Sequence, residues 1–299
     1  MENLIKIETT NKNSQDDKEN QPKQKRNKDY FKFRNFIICH KLAAMKVGTD
    51  GVLLGGVAAI TKPHTEMKSN NETFPRRILD IGCGSGLITM FLADKFALAK
   101  IDCIDIDKDA VIQTSSNLKQ RQDIESRVTV HHISIQDYKI ESKYQYDLIT
   151  CAPPYFIKAI ETSKWEKVLT TKRKVARHLV DDSMDFNDML DCAGKLLDPI
   201  HGVFCFVFPT NLIDVTKLLN EHKFEILEIW NIKDSPENKI IRQIFKCRHR
   251  KEESSNTHPK EVDFSIYTKP QPKTLQQEKR IYTAEYRELL EPYMLTWSK

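Results

Sequence analysis

No apolar run in this chain approaches the roughly 20 residues that a membrane-crossing helix needs, so nothing in it reads as a membrane span. The opening stretch, MENLIKIETTNKNSQDDKENQPKQKRNK, lacks the apolar segment of a secretory signal, and the expected location is cytoplasmic. The seven cysteines are odd in number and include no C-x-x-C pair. That pattern argues against a disulfide framework and for reduced thiols. No Cys/His cluster has the spacing of metal ligands, so no metal is expected. Internal repeats are also missing. What is present is a chain of 299 residues, 39% hydrophobic and 30% charged, long enough for one large domain with a real core. A net charge of +5 permits a polyanionic partner without requiring one.

Composition divides the chain. Residues 1–29 are polar and almost free of large apolar groups, too poor in buriable surface to offset their ordering entropy, and are read as a disordered tail. Residues 30–299 are read as a single domain. Within it lie an N-terminal segment and surface loop (30–76), a core sheet (77–250), and a loop with a C-terminal extension (251–299). Seven runs rich in β-branched and aromatic residues are predicted strands: Arg77–Ile81, Lys100–Asp105, Val128–His132, Tyr146–Cys151, Gly202–Phe208, Phe224–Trp230 and Lys239–Cys247. Leu87–Phe96, Asp109–Arg121, Met184–Leu197 and Leu212–Glu221 carry apolar residues at helical spacing. Strands alternating with helices predict an α/β fold with a doubly wound, mostly parallel, seven-stranded Rossmann-like sheet. The last two strands follow one another without a helix, which predicts an antiparallel hairpin at one edge.

Ile78 to Gly86 reads ILDIGCGSG, a strand followed by glycines at 82, 84 and 86 and then a helix. Missing side chains let backbone N–H groups and a helix N-terminus approach a ligand closely. The spacing is G-x-G-x-G rather than the G-x-G-x-x-G of dinucleotide-binding folds. With Asp80 ahead of it, the segment resembles the loop of S-adenosylmethionine-dependent methyltransferases. The resemblance implies that S-adenosyl-L-methionine is the cofactor and that Asp80, Gly82, Cys83, Gly84 and Gly86 help hold it. The next strand ends in Asp105-Ile106-Asp107. An acid about 20 residues past the loop can accept hydrogen bonds from both ribose hydroxyls. Asp105 is favoured for this, with Ile106 beside it, while Asp107 reads better as the cap of the following helix.

The fourth strand ends in Asp147-Leu-Ile-Thr-Cys-Ala152-Pro153-Pro154-Tyr155. In an open α/β sheet, ligands bind at the C-terminal strand ends. A-P-P-Y resembles the N-P-P-Y motif of methyltransferases that act on an exocyclic or amide nitrogen. In that motif the asparagine oxygen and the first proline carbonyl accept from the target NH2, and the aromatic ring stacks on the substrate. Here position 152 is alanine, whose methyl accepts no hydrogen bond, so only the Pro153 carbonyl and the Tyr155 ring remain of the clamp.

A longer match narrows the family. Ala44 to Gly55 reads AMKVGTDGVLLG and resembles the hallmark of the bacterial tRNA1(Val) adenine-N6 methyltransferases, with further similarity from about Phe31 to Trp297. The resemblance implies that Lys46, Gly48, Thr49 and Asp50 lie over the cofactor. Read from the residues alone, Gly48–Gly51 can also be a turn and a helix start, with Asp50 as a cap. Relatives often carry an adenine-contacting acid after the third strand; here Ser134 and Asp137 are the two candidates. Among the basic residues after the P-P-Y, Lys172, Arg173 and Arg177 are candidate tRNA contacts.

The implied reaction is N6-methylation of an adenine in tRNA, at adenine 37 beside the anticodon of tRNA1(Val), with the anticodon loop as partner and a monomer as the enzyme. Three other readings stand beside it: a cofactor- and RNA-binding protein without turnover, a protein-glutamine methyltransferase and a DNA-adenine methyltransferase.

Overall fold

A strand that is apolar at every position must be covered on both faces, and V-F-C-F-V-F at residues 203–208 is such a strand. The structure is a computed structural model describing residues 29–63, 74–153, 186–210, 214–250, 258–270 and 281–295. In it, Val203, Cys205 and Val207 face one core, while Phe204, Phe206 and Phe208 face another. The two cores lie on opposite sides of one sheet.

The chain opens with a short antiparallel pair, β1 (Tyr30–Lys32) and β2 (Ile37–Cys39), followed by helix α1 (Thr49–Ala59). The alternating part runs β3 (Arg77–Ile81), α2 (Leu87–Lys95), β4 (Lys100–Asp105), α3 (Lys108–Leu118), α4 (Gln122–Glu125), β5 (Val128–His132), α5 (Ile135–Glu141) and β6 (Leu148–Cys151). After it come α6 (Phe186–Leu196), β7 (Val203–Pro209), α7 (Val215–Glu221), β8 (Phe224–Lys233), β9 (Ile240–His249), β10 (Lys260–Ser265) and α8 (Ala284–Leu290). Eight strands form the main sheet in the order β10-β8-β9-β7-β6-β3-β4-β5. All run parallel except β9, which is antiparallel to both β7 and β8. Among the described residues no helix is long and apolar enough to cross a membrane.

The seven predicted strands are all present, and the expected hairpin is β8–β9. An eighth strand, β10, comes from beyond residue 250 and pairs parallel to the outer side of β8. The hairpin therefore stands one strand in from the edge. The reason β10 escapes a hydrophobicity reading is visible in K-E-V-D-F-S. Only Val262 and Phe264 face the core, and three charged residues and a serine fill the rest, as suits a sheet edge that must not recruit another strand.

Residues of α1, α2 and α8 (Leu53, Phe91 and Leu290 among them) cover one face, and α5, α6 and α7 cover the other through Tyr138, Met189 and Leu219. Helix α1 sits close on α2, because a Cβ at Gly55 would lie 2.9 Å from the Phe91 ring. Removing a buried ring such as Phe204 or Phe91 would destabilise the fold by about 3–5 kcal/mol.

Candidate active site

The segments that follow β3, β4, β5 and β6 all leave the C-terminal end of the sheet, because those strands are parallel. At the end of β3 the chain turns through Gly82 (φ 70°), Gly84 (φ 58°) and Gly86 (φ 76°), a left-handed backbone that disfavours any side chain. The outer two glycines differ in what surrounds them. A Cβ at Gly82 would meet nothing within 4 Å, so the loop faces open space there. A Cβ at Gly86 would lie 3.0 Å from the Thr114 methyl, so here the missing side chain lets α3 approach.

The loop is held from behind by backbone and side-chain bonds. Gly82 N and Cys83 N donate to Ile104 O at 2.9 and 3.0 Å. Gly84 N donates to Asp105 Oδ2 at 2.8 Å, and Thr114 Oγ1 donates to Gly84 O at 3.0 Å. In a planar trans peptide the C=O and the following N–H point opposite ways. Drawing the Gly84 carbonyl toward α3 thus turns the Ser85 N–H away from it.

Asp105 ends β4, its Oδ1 accepting from Asp107 N at 2.9 Å and its Oδ2 from Gly84 N. A carboxylate has about four acceptor sites, so lone pairs remain for a diol. Burial pushes this carboxyl above the ordinary range, opposed by the backbone bonds from Asp107 and Gly84. Ile106 follows with 54% of its surface exposed. Asp107 caps α3 through Asp109 N, as its position predicts.

Asp80 lies under the loop and is fully buried. Its oxygens accept from the hydroxyls of Thr89 at 2.6 Å and Thr150 at 3.0 Å. Burial pushes its carboxyl up to about 6, the hydroxyl bonds pulling the other way. Asp80 thereby ties β3 to α2 and β6 and supports the loop from below. Thr89 and Thr150 carry no motif in the sequence; only packing brings them to Asp80.

Across the β3–β6 ladder Ile81 pairs with Cys151. Paired strands run about 4.8 Å apart, so Gly82 and Ala152 follow neighbouring strand ends. Ala152 is half-buried against the core and Pro153 is buried. Pro154, Tyr155, Lys172, Arg173 and Arg177 lie outside the described residues.

In the N-terminal segment Lys46 and Thr49 are exposed, and Gly48 is the N-cap of α1. Asp50, in the first turn of that helix, makes an ion pair with Arg242 of β9 at 3.0 Å across 192 residues of sequence. Arg242 has no sequence signal that assigns it to the site. Ser134 caps α5 by accepting from Asp137 N at 3.0 Å, and its hydroxyl donates to Asp137 Oδ2 at 2.7 Å. The two candidates after β5 thus engage each other, beside the end of β4, where His132 pairs with Asp105.

The arrangement fits S-adenosylmethionine: the glycine turn leaves open space at Gly82, and an acceptor at Asp105 with free lone pairs stands next to it. Comparisons with known proteins agree with this geometry. The family described as Methyltransferase small domain matches residues 65–181. The tRNA1(Val) (adenine(37)-N6)-methyltransferase of Parabacteroides distasonis is 34% identical over 231 residues, which cover 76% of this chain and 88% of that protein. The protein of the same name from Yersinia pseudotuberculosis is 30% identical over 269 residues, covering 89% and 92%. In fold, the chain is similar to a predicted O-methyltransferase from Agrobacterium tumefaciens, with a TM-score of 0.53 and 13% identity over 81% of this chain and 96% of that one. Identity of that extent over most of both sequences, on a methyltransferase fold whose glycine turn starts beside Ala152, makes this chain a member of the tRNA1(Val) (adenine(37)-N6)-methyltransferase family.

Proposed function

We propose that the chain transfers a methyl group from S-adenosylmethionine to N6 of an adenine in tRNA, at the position 37 named in its relatives. The observation that carries this reading is the pairing of Ile81 with Cys151. It brings the first residues of the glycine turn and of the A-P-P-Y segment together at one strand edge. Residues 30–299 act as one methyltransferase domain in this reading, in the cytoplasm where tRNA is modified.

S-adenosylmethionine, when bound, supplies a methyl group already activated by its sulfonium. The turn at Gly82, Cys83, Gly84 and Gly86 holds it by close backbone approach, and Asp105 accepts from its ribose hydroxyls. Lys46, Gly48, Thr49 and Asp50 lie on the segment that covers it, and Ile106 with Ser134 or Asp137 borders its base. The Pro153 carbonyl accepts from the target amine and aims its lone pair, while Tyr155 stacks on the adenine plane. The amine proton can leave after methylation, so alignment and exclusion of water are the main contributions of the chain. An anticodon-loop base is already partly unstacked, which lowers the energy needed to bring it to the site. Lys172, Arg173 and Arg177 neutralise phosphates around it.

Incubating the full chain with labelled S-adenosylmethionine and unmodified valine tRNA, followed by nucleoside mass spectrometry, tests the reading. N6-methyladenosine is expected from the unaltered chain. Ala152→Asn, which restores a preorganised acceptor, is expected to raise the rate by about 10²–10³-fold. No methylated adenine from either protein overturns the proposal. A second reading rests on Ala152 itself: a cofactor- and RNA-binding protein without turnover. Tight binding of both ligands, with methylation only by Ala152→Asn, favours that reading.

A further inference from the structure

The outer edge of β2 is paired not with a strand but with side-chain amides. β1 takes the inner edge, with Phe31 opposite Ile38. On the other side, Ile37 N donates to Gln120 Oε1 at 2.6 Å, and Gln120 Nε2 donates to Ile37 O at 2.7 Å. Two residues on, Cys39 N donates to Asn117 Oδ1 at 3.1 Å, and Asn117 Nδ2 donates to Cys39 O at 2.7 Å. Further along, Leu42 N donates to Gln113 Oε1 at 3.0 Å. Gln113 and Asn117 stand four residues apart on one face of α3, and Gln120 follows in the turn just past its C-terminus, so the three carboxamides stand in for a neighbouring strand.

Asn117 differs from the other two. Its second Nδ2 hydrogen goes to Ser85 O of the glycine turn at 2.8 Å. Only 3% of the residue is exposed, and one carboxamide therefore serves both the strand leading to Lys46–Asp50 and the turn at Gly82–Gly86. Gln120 instead uses its amide on β2 and on the backbone of Asn117.

We infer that Asn117 is a positioning residue that couples the N-terminal segment to the glycine turn, so that a cofactor held by the turn steadies residues 37–47 and docking of those residues tightens cofactor binding. This rests on the proposed cofactor site. A turn whose Ser85 carbonyl is fixed cannot drift away from α3, and the same group fixes Cys39. Coupling of two sites through one group is reciprocal, so both effects must appear together.

The test uses the full chain and S-adenosylhomocysteine as the probe. Calorimetry gives its affinity, and hydrogen exchange follows residues 37–47 with and without it. In the unaltered chain the ligand is expected to slow exchange in that segment. Asn117→Ala is expected to weaken binding about tenfold, the equivalent of ~1.4 kcal/mol, and to abolish the ligand-dependent slowing. Gln120→Ala should speed exchange in the segment with and without ligand while leaving affinity within about threefold. If Asn117→Ala does not fold, Asn117→Asp gives the same reading, since it keeps the acceptor for Cys39 N and loses both donated bonds. Unaltered affinity and unaltered ligand-dependent exchange in the Asn117 variants overturn this inference alone. Absence of binding by the unaltered chain overturns the cofactor site and this inference with it.

Discussion

Asp80 shows how one buried carboxyl serves the site from below. It touches no solvent, and two threonine hydroxyls and the fold around them hold it in place. Its carboxyl is pushed up to about 6 from an ordinary 3.8 by burial. Between those values the native chain keeps a proton that the unfolded chain has released. Stability therefore falls as pH rises through this window, by up to ~3 kcal/mol from this group, and is greatest below it. Asp80→Asn, neutral at every pH, is expected to flatten that part of the stability profile when denaturant midpoints are compared from pH 4 to 7. An unchanged slope in the variant would assign the pH dependence to other groups. Asp80 was legible as part of the loop motif, but its two threonine partners were not, since they stand 9 and 70 residues away.

At the scale of the element, the glycine turn and the first turn of α1 behave differently under substitution. Gly86→Ala combines a left-handed backbone with a 3.0 Å approach to Thr114, a rigid β-branched side chain on a helix. A cost of about 1–2 kcal/mol for the backbone alone is expected, seen as a drop of several degrees in Tm together with weaker S-adenosylhomocysteine binding. Arg242→Ala should separate the two readouts. Its ion pair with Asp50 is about one-third exposed on both sides, and such pairs contribute about 0–1 kcal/mol. Tm should therefore move little, while the KM for S-adenosylmethionine rises because the first turn of α1 loses its tether to β9. A large loss of Tm with an unchanged KM would make Arg242 a purely structural residue.

At the scale of the whole molecule, the proposed site draws on the C-terminal ends of several parallel strands and on the N-terminal segment tied to the glycine turn through Asn117. A ligand that binds only this assembled state must stabilise it. At a concentration about 100 times its Kd, S-adenosylhomocysteine is expected to add about 2.7 kcal/mol, and Tm should rise by several degrees in a melting scan. No rise at that concentration would mean that the turn does not bind it in the folded chain.

The strand–helix alternation, the glycine turn and the A-P-P-Y strand end could be read along the chain because each is local. Burial on both faces makes a strand such as β7 continuously apolar, and a turn through left-handed backbone calls for glycine. The strand β10, the β1–β2 pair and the partners of Asp80, Asp50 and β2 were decided by tertiary structure. An edge strand needs only two apolar residues, and a strand sealed by carboxamides 78 or 83 positions away leaves no periodicity of its own. Hydrogen bonds between distant segments depend on where the sheet brings them, and that register emerges only when both faces of the sheet are packed.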